Sequence, residues 1–227
     1  MKITELERLN RDLIICRKCP RLTAWREEVA ENRRRAFADQ EYWGKPVPGF
    51  GDPMSKVLIV GLAPGAHGSN RTGRMFTGDA SGDFLYPALF RAGFANQPGS
   101  LSSEDGLRLT EVYFSAVCRC VPPGNRPDRQ EIANCLPWLL KEIALLENLQ
   151  GLVALGRIAY DGILQLYKGE PGLPKNGFAH GALHKMEKGK SWVLCSYHPS
   201  RQNTQTGRLT VAMFDQVWDQ VRTLINR

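Results

Sequence analysis

The sequence has no long apolar run. No stretch approaches the ~18 residues that a membrane-spanning helix needs. The opening Met1-Lys2-Ile3-Thr4-Glu5-Leu6-Glu7-Arg8 is charged and amphipathic, without the apolar core of a secretory signal. These absences argue against a membrane protein and lead us to expect a cytoplasmic one. There is also no internal repeat, low-complexity tract or linker-like segment, so the 227 residues read as one domain, 1–227. Two nucleotide-binding signatures are missing: a Gly-Lys-Ser/Thr P-loop ending and a close G-x-G-x-x-G. No three of the six cysteines lie close together, which excludes the cysteine triplet of radical enzymes that use S-adenosylmethionine.

What is present begins with a mild basic excess. The formal charge of +7 fits either an ordinary solubility charge or a phosphate-facing surface. Ile3, Leu6, Leu9, Leu13 and Ile14 recur at helical spacing and predict a helix over 3–15. Residues 40–55 are loop by their proline and glycine content. Apolar runs at Val57–Val60, Val112–Val117, Leu152–Leu155 and Trp192–Ser196 read as strands. Helical patterns separate them at Asp83–Arg91, Asp128–Leu146 and Ile158–Leu166, and a last one carries Leu209, Met213, Val217, Val221 and Leu224. Asp128 and Glu131 fit a capping box, and Pro137 is expected to kink or restart its helix. This alternation predicts an α/β protein with a parallel sheet covered by helices on both sides.

Two features carry chemistry. The first is the glycine-rich stretch Gly61-Leu62-Ala63-Pro64-Gly65-Ala66-His67-Gly68, continuing to Arg74-Met75-Phe76-Thr77-Gly78-Asp79-Ala80-Ser81-Gly82. It follows a strand and precedes a helix, which places a concave site at the C-terminal end of that strand. The second is the cysteine set. Cys16 and Cys19 form a C-x-x-C, and Cys120 and Cys135 lie far along the chain. Six cysteines in a reducing compartment point to metal or cluster ligation rather than disulfides. Four thiolates suit a [4Fe–4S] cluster or a four-cysteine zinc site. Cys118 competes with Cys120, since alternation puts both on one side of an extended strand. Val121-Pro122-Pro123 turns the chain out just after Cys120, which favours Cys120. Cys118 and Cys195 read as small buried apolar residues.

Taken in order, Cys16-x-x-Cys19, the Gly-x-Ala-Pro-Gly loop, Phe76-Thr77-Gly78, Arg119-Cys120-Val121-Pro122-Pro123-Gly124-Asn125-Arg126, Cys135 and His198-Pro199-Ser200 resemble the iron–sulfur uracil-DNA glycosylases. The family 4 enzymes have an acidic residue at the place of Ala63 and an Asn at the place of Ala116. This chain departs at both and looks like the family 5 branch, which it also resembles over Tyr42-Trp43 and Pro46 to Gly51. The resemblance implies a three-layer α/β/α sandwich with a four-stranded parallel sheet and a [4Fe–4S] cluster on Cys16, Cys19, Cys120 and Cys135. It also implies removal of uracil from DNA, with tolerance of other deaminated bases such as hypoxanthine, and monomer is the expected state.

Breaking an N-glycosidic bond develops positive charge on the sugar and negative charge on the leaving base. Asp79 is the expected water-positioning carboxylate. The alternative is a helix cap, although Ser81 or Asp83 could cap instead. His198, after the last strand, is expected to donate a hydrogen bond to uracil O2. Phe76 is expected to stack on the flipped base, and Ala63, Gly65 and Ala66 to offer backbone N–H groups. His67, on the same loop, joins them as a binding candidate. Asn125 is expected either at the pocket or as a turn former. Ala116 cannot read the uracil edge, which should relax selectivity. Arg71 and Arg74 are expected on phosphates, and Ser200, Arg201 and Gln202 on a polar loop at the minor groove. Two competing classes are a metal-stabilised nucleic-acid-binding module without activity and an iron–sulfur redox protein.

Overall fold

The computed structural model describes residues 4–169, 171–186 and 191–226. Its sheet has six strands in the order β1-β3-β2-β4-β6-β5. β2 (Val57–Gly61), β3 (Val112–Ala116), β4 (Gly151–Leu155) and β6 (Trp192–Ser196) are the four expected strands, and they run parallel. The expected four-stranded sheet is widened by two antiparallel edge strands, β1 (Phe50–Gly51) and β5 (Leu183–Lys185). Two or three residues are too short to show a period, so no sequence pattern marks them.

Each central strand is buried along its whole length because helices cover both faces. Val57, Ile59, Phe114, Val153 and Leu194 pack with α4 (Ala80–Arg91) and α8 (Val211–Ile225). The alternate residues Leu58, Val60, Tyr113, Leu152 and Val193 pack with α1 (Glu5–Ile14), α5 (Arg129–Leu145) and α6 (Arg157–Leu166). The result is the α/β/α sandwich expected.

Helix ends follow local chemistry. Thr4 and Glu7 form a capping box on α1, and Asp128 and Glu131 form the expected one on α5. Ile3, predicted in α1, lies outside the described residues. α5 continues through Pro137 rather than restarting there. Three helices went unpredicted: α2 (Pro20–Glu31), α3 (Ser69–Thr72) and α7 (Arg201–Gln205). α2 starts with Pro20 at its first position, where the missing N–H costs nothing. Its apolar residues do not gather on one stripe, so its periodicity was weak.

One buried ion pair ties the layers together. Arg119 and Glu142 are each 1% exposed and in contact. The Ser115 hydroxyl donates to Glu142 Oε2 at 2.7 Å, and Arg119 Nη2 donates to Ser115 Oγ at 2.7 Å. Val47 N donates to the Arg119 carbonyl at 2.7 Å. Removing one partner leaves a buried charge without its counter-charge, so Glu142→Ala should cost about 3–5 kcal/mol. Denaturant unfolding measures this; a loss under about 1 kcal/mol would show the pair to be dispensable.

Candidate active site

β2 ends at Gly61, and the chain then makes a wide loop, the short α3, and a tight turn into α4. The turn places Phe76 in the left-handed region at φ +52°. Two contacts hold it there: Phe76 N donates to Ser69 Oγ at 3.0 Å, and the Phe76 carbonyl lies so close to Gly82 that any side chain there would collide with it. The Phe76 ring sits between Phe114 and His198, with centroids 5.2 and 6.0 Å away. Residues far apart in sequence thus meet at the end of β2, where Gly61 lies against the Phe76 ring.

Asp79 caps α4. Its Oδ1 accepts from Ser81 N at 3.0 Å and from Gly82 N at 3.1 Å. The idea that Ser81 or Asp83 takes over the cap is corrected, since Asp79 does it. One oxygen suffices, however. Oδ2 turns instead toward Gly65 and Gly68, and a Cβ on Gly68 would fall 2.0 Å from it. Burial pushes the Asp79 carboxyl above the usual aspartate range, opposed by the two cap N–H groups. No protein acceptor among the described residues engages the backbone N–H groups of Ala63, Gly65 or Ala66.

His198 follows β6 and is half-buried. No described residue hydrogen-bonds its ring, and burial pushes its imidazole down to about 4. Its carbonyl accepts from Asn203 Nδ2 at 2.9 Å. On the side away from Phe76, His198 lines a cavity of about 300 Å³ with Gly156, Tyr197, Asn203 and Arg208. His67 Nδ1 meets the Tyr42 hydroxyl at 3.0 Å. Burial, then Arg34 and Arg71, hold the His67 imidazole below its ordinary range.

Several expectations change. Arg74 does not present itself to phosphate. It is 4% exposed, its guanidinium forms a bidentate pair with Asp105 at 2.9 and 2.7 Å, and it also donates to Thr77 and Ser100. Arg71 braces the loop from within, donating to His67 O, Gln40 Oε1 and Gly78 O at 2.7, 2.6 and 2.9 Å. Asn125 is exposed at φ +56° in a 3-10 turn, the geometry of a turn former. The predicted polar loop after His198 is the helix α7, with Ser200 as its cap and Arg201 and Gln202 exposed on its first turn. Sequence reading placed Asn203 and Arg208 on the groove-facing loop and gave Tyr42 no role; the fold sets Asn203 against the His198 carbonyl, Arg208 4.7 Å over the Tyr197 ring and Tyr42 against His67.

The cysteines gather at the other side of the sheet edge. Cys16, Cys19, Cys120 and Cys135 line one small pocket between α1, α2 and α5. No three His, Cys, Asp or Glu side chains among the described residues close to the spacing of a single-ion site. Hydrogen-bond donors point at three of the four sulfurs: Arg26 Nη1 at Cys120 (3.0 Å), Arg119 N at Cys135 (3.2 Å) and Asn134 Nδ2 at Cys19 (3.5 Å). Burial pushes the Cys120 thiol up to about 11. Arg26 is itself 2% exposed, a buried cation beside a thiol set that needs one once ionised. Cys118 and Cys195 are buried and do not line this pocket, but the Cys118 thiol hydrogen-bonds Cys135 and so lies against the set.

Comparisons with known proteins show the family. The family described as the Uracil DNA glycosylase superfamily matches residues 48–222. A Type-5 uracil-DNA glycosylase of Thermus thermophilus is 53% identical over 214 residues, covering 93% of this chain and 94% of that one. One from Mycobacterium bovis is 51% identical over 217 residues, covering 95% and 80%. One from Pyrobaculum aerophilum is 43% identical over 205 residues, covering 90% and 87%.

An NMR titration checks the electrostatics directly. The His198 imidazole should stay neutral at pH 7 and gain its proton only near 4, because burial disfavours the charged ring. An inflection at the ordinary 6.5 or above would contradict this.

Proposed function

The chain belongs to the uracil DNA glycosylase superfamily and groups with its type-5 members, and we propose that the pocket between Phe76, Asp79 and His198 is where it works. It is a monofunctional DNA-repair glycosylase. It hydrolyses the N-glycosidic bond of uracil in DNA and leaves an abasic site.

The reaction needs the base out of the stack, at a cost of a few kcal/mol in lost pairing and stacking (roughly). Phe76 offers a ring face for the flipped base. The C1′–N1 bond breaks with its electron pair leaving on the base. His198, neutral at physiological pH, donates a hydrogen bond to O2 as that charge builds, and donating it requires no protonated imidazole. Asp79 Oδ2 holds a water and faces the developing sugar cation, while Oδ1 keeps the carboxylate fixed through the cap. The water oxygen bonds to C1′ and gives up a proton to Asp79 Oδ2, the departing base takes up one proton, and the net change is one water added across the broken bond. The free N–H groups of Ala63, Gly65 and Ala66, with His67 beside them, hold the base edge or the water. Ala63 and Ala116 withhold side-chain readers, and this supports a substrate range that extends to hypoxanthine.

Arg201 and Gln202, exposed on α7 below the Ser200 cap, meet the DNA beside His198. The four cysteines would hold a [4Fe–4S] cluster, which supplies a rigid soft-metal joint between the N-terminal helices and α5. The donors aimed at the sulfurs suit ionised thiolate ligands. Residues 1–227 form one glycosylase domain in this reading, acting as a monomer. All six cysteines are free, which suits the cytoplasm, and no helix among the described residues is long and apolar enough to cross a membrane.

The observation that carries the site assignment is the Asp79 carboxylate, with one oxygen locked in a cap and the other facing the pocket. Asp79→Ala should lower single-turnover excision from a U·G duplex by roughly 10²–10⁴-fold while DNA affinity is retained. Full activity in the variant would remove Asp79 from the reaction. The wild-type rate should also fall as pH drops through the raised Asp79 pKa, since protonation neutralises the charge that acts.

A further inference from the structure

Asn70 has no role in the chemistry above, yet it is fully buried beneath the pocket loop. Its Nδ2 donates to the Arg26 carbonyl on α2 at 3.2 Å. Its backbone N donates to the Gly65 carbonyl at 3.0 Å, inside the loop that faces Asp79 Oδ2. Its carbonyl accepts from Gly44 N at 3.1 Å, and Gly44 in turn lies against Ala30 of α2, so tightly that a Cβ there would come within 2.9 Å of the Ala30 side chain. Every polar contact of Asn70 therefore leads either to the pocket loop or to α2 and the strap resting on it. α2 is itself pinned at the thiol pocket, by Cys19 at its start and by the Arg26 guanidinium on Cys120 Sγ at 3.0 Å.

We propose that Asn70 is a positioning residue for the excision reaction: it fixes the Gly65–Gly68 loop, and with it the space in front of Asp79 Oδ2, to the helix held by the cysteine pocket. The physical basis is that Asn70 holds the start of the loop, at Gly65, while Arg71 and Tyr42 hold its far end, at the His67 carbonyl and His67 Nδ1. The N–H groups of Ala63, Gly65 and Ala66 are uncommitted, and the carbonyl of Gly65 is held by Asn70 N. The Asn70 carboxamide bonds helix backbone through Nδ2, and the same residue bonds loop backbone through its own N, so it transmits position without touching substrate. An ångström of misplacement costs a rate on the order of 100-fold. DNA affinity, which depends on phosphate and groove contacts elsewhere, is insensitive to such a shift.

This inference rests on the glycosylase reading, and one set of measurements separates the two. Wild type, Asn70→Ala and Asn70→Ser are purified with their visible cluster absorption and assayed on a U·G duplex in single turnover, with DNA affinity measured in parallel. Asn70→Ser keeps a small donor in the same space and serves if the alanine variant does not fold. The expected result is a rate lowered by roughly 10- to 100-fold, with the serine variant between alanine and wild type. DNA affinity should stay within about twofold, and the visible absorption per protein should be unchanged. Wild-type rates in either folded variant overturn the proposal. So does a loss of rate that tracks loss of the absorption, or a loss carried by DNA affinity. A wild type that excises nothing overturns the functional reading itself, and this inference with it.

Discussion

The turn into α4 is organised by one carboxylate that does two things. Asp79 caps α4 with Oδ1 and sets Oδ2 against Gly65 and Gly68. A cap oxygen is fixed by backbone N–H groups, so the second oxygen has no freedom left. The neighbourhood is shaped to that fixed point. Gly68 approaches because a side chain would strike Oδ2, and Gly82 is bare because the Phe76 carbonyl presses on it. Phe76 accepts a left-handed backbone to keep its ring between Phe114 and His198. The cost of that conformation is offset by the buried contacts it makes.

Positive charge in this protein is divided between inside and outside. Arg26, Arg74 and Arg119 are almost wholly buried; Arg74 and Arg119 pair with Asp105 and Glu142, and Arg26 lies 3.7 Å from Glu27 and donates to Cys120 Sγ. They cement the thiol pocket, the turn into α4 and the core under β3. The formal charge of +7 therefore overstates what faces a DNA backbone. The exposed basic residues, such as Arg201 on α7 and the run at Arg33, Arg34 and Arg35, are the ones in contact with solvent.

Much of the fold was legible in the sequence, for a simple reason. Strands buried on both faces read as unbroken apolar runs, and β2, β3, β4 and β6 are such runs. The capping box at Asp128 and the amphipathic α1 and α8 are local patterns too. What escaped notice lacked a period. β1 and β5 are two or three residues long, α3 and α7 barely exceed one turn, and α2 has no apolar stripe. The arginines were misplaced for a related reason. Burial of Arg74 depends on Asp105, 31 positions away, and nothing near Arg74 in the chain announces that partner.

By itself, then, the sequence determined the layer order, the glycine-rich loop at the end of β2, the family and the four cysteines that share one pocket, because each of these is written in spacing or residue type. Only the tertiary structure decided which side chains are free to act. It brought His198 to Phe76, gave Asp79 its cap and its open oxygen, lowered His198 to about 4, and turned Arg71 and Arg74 inward. Those outcomes depend on burial and on partners remote in sequence. Desolvation and pairing exist only once the chain has closed around them.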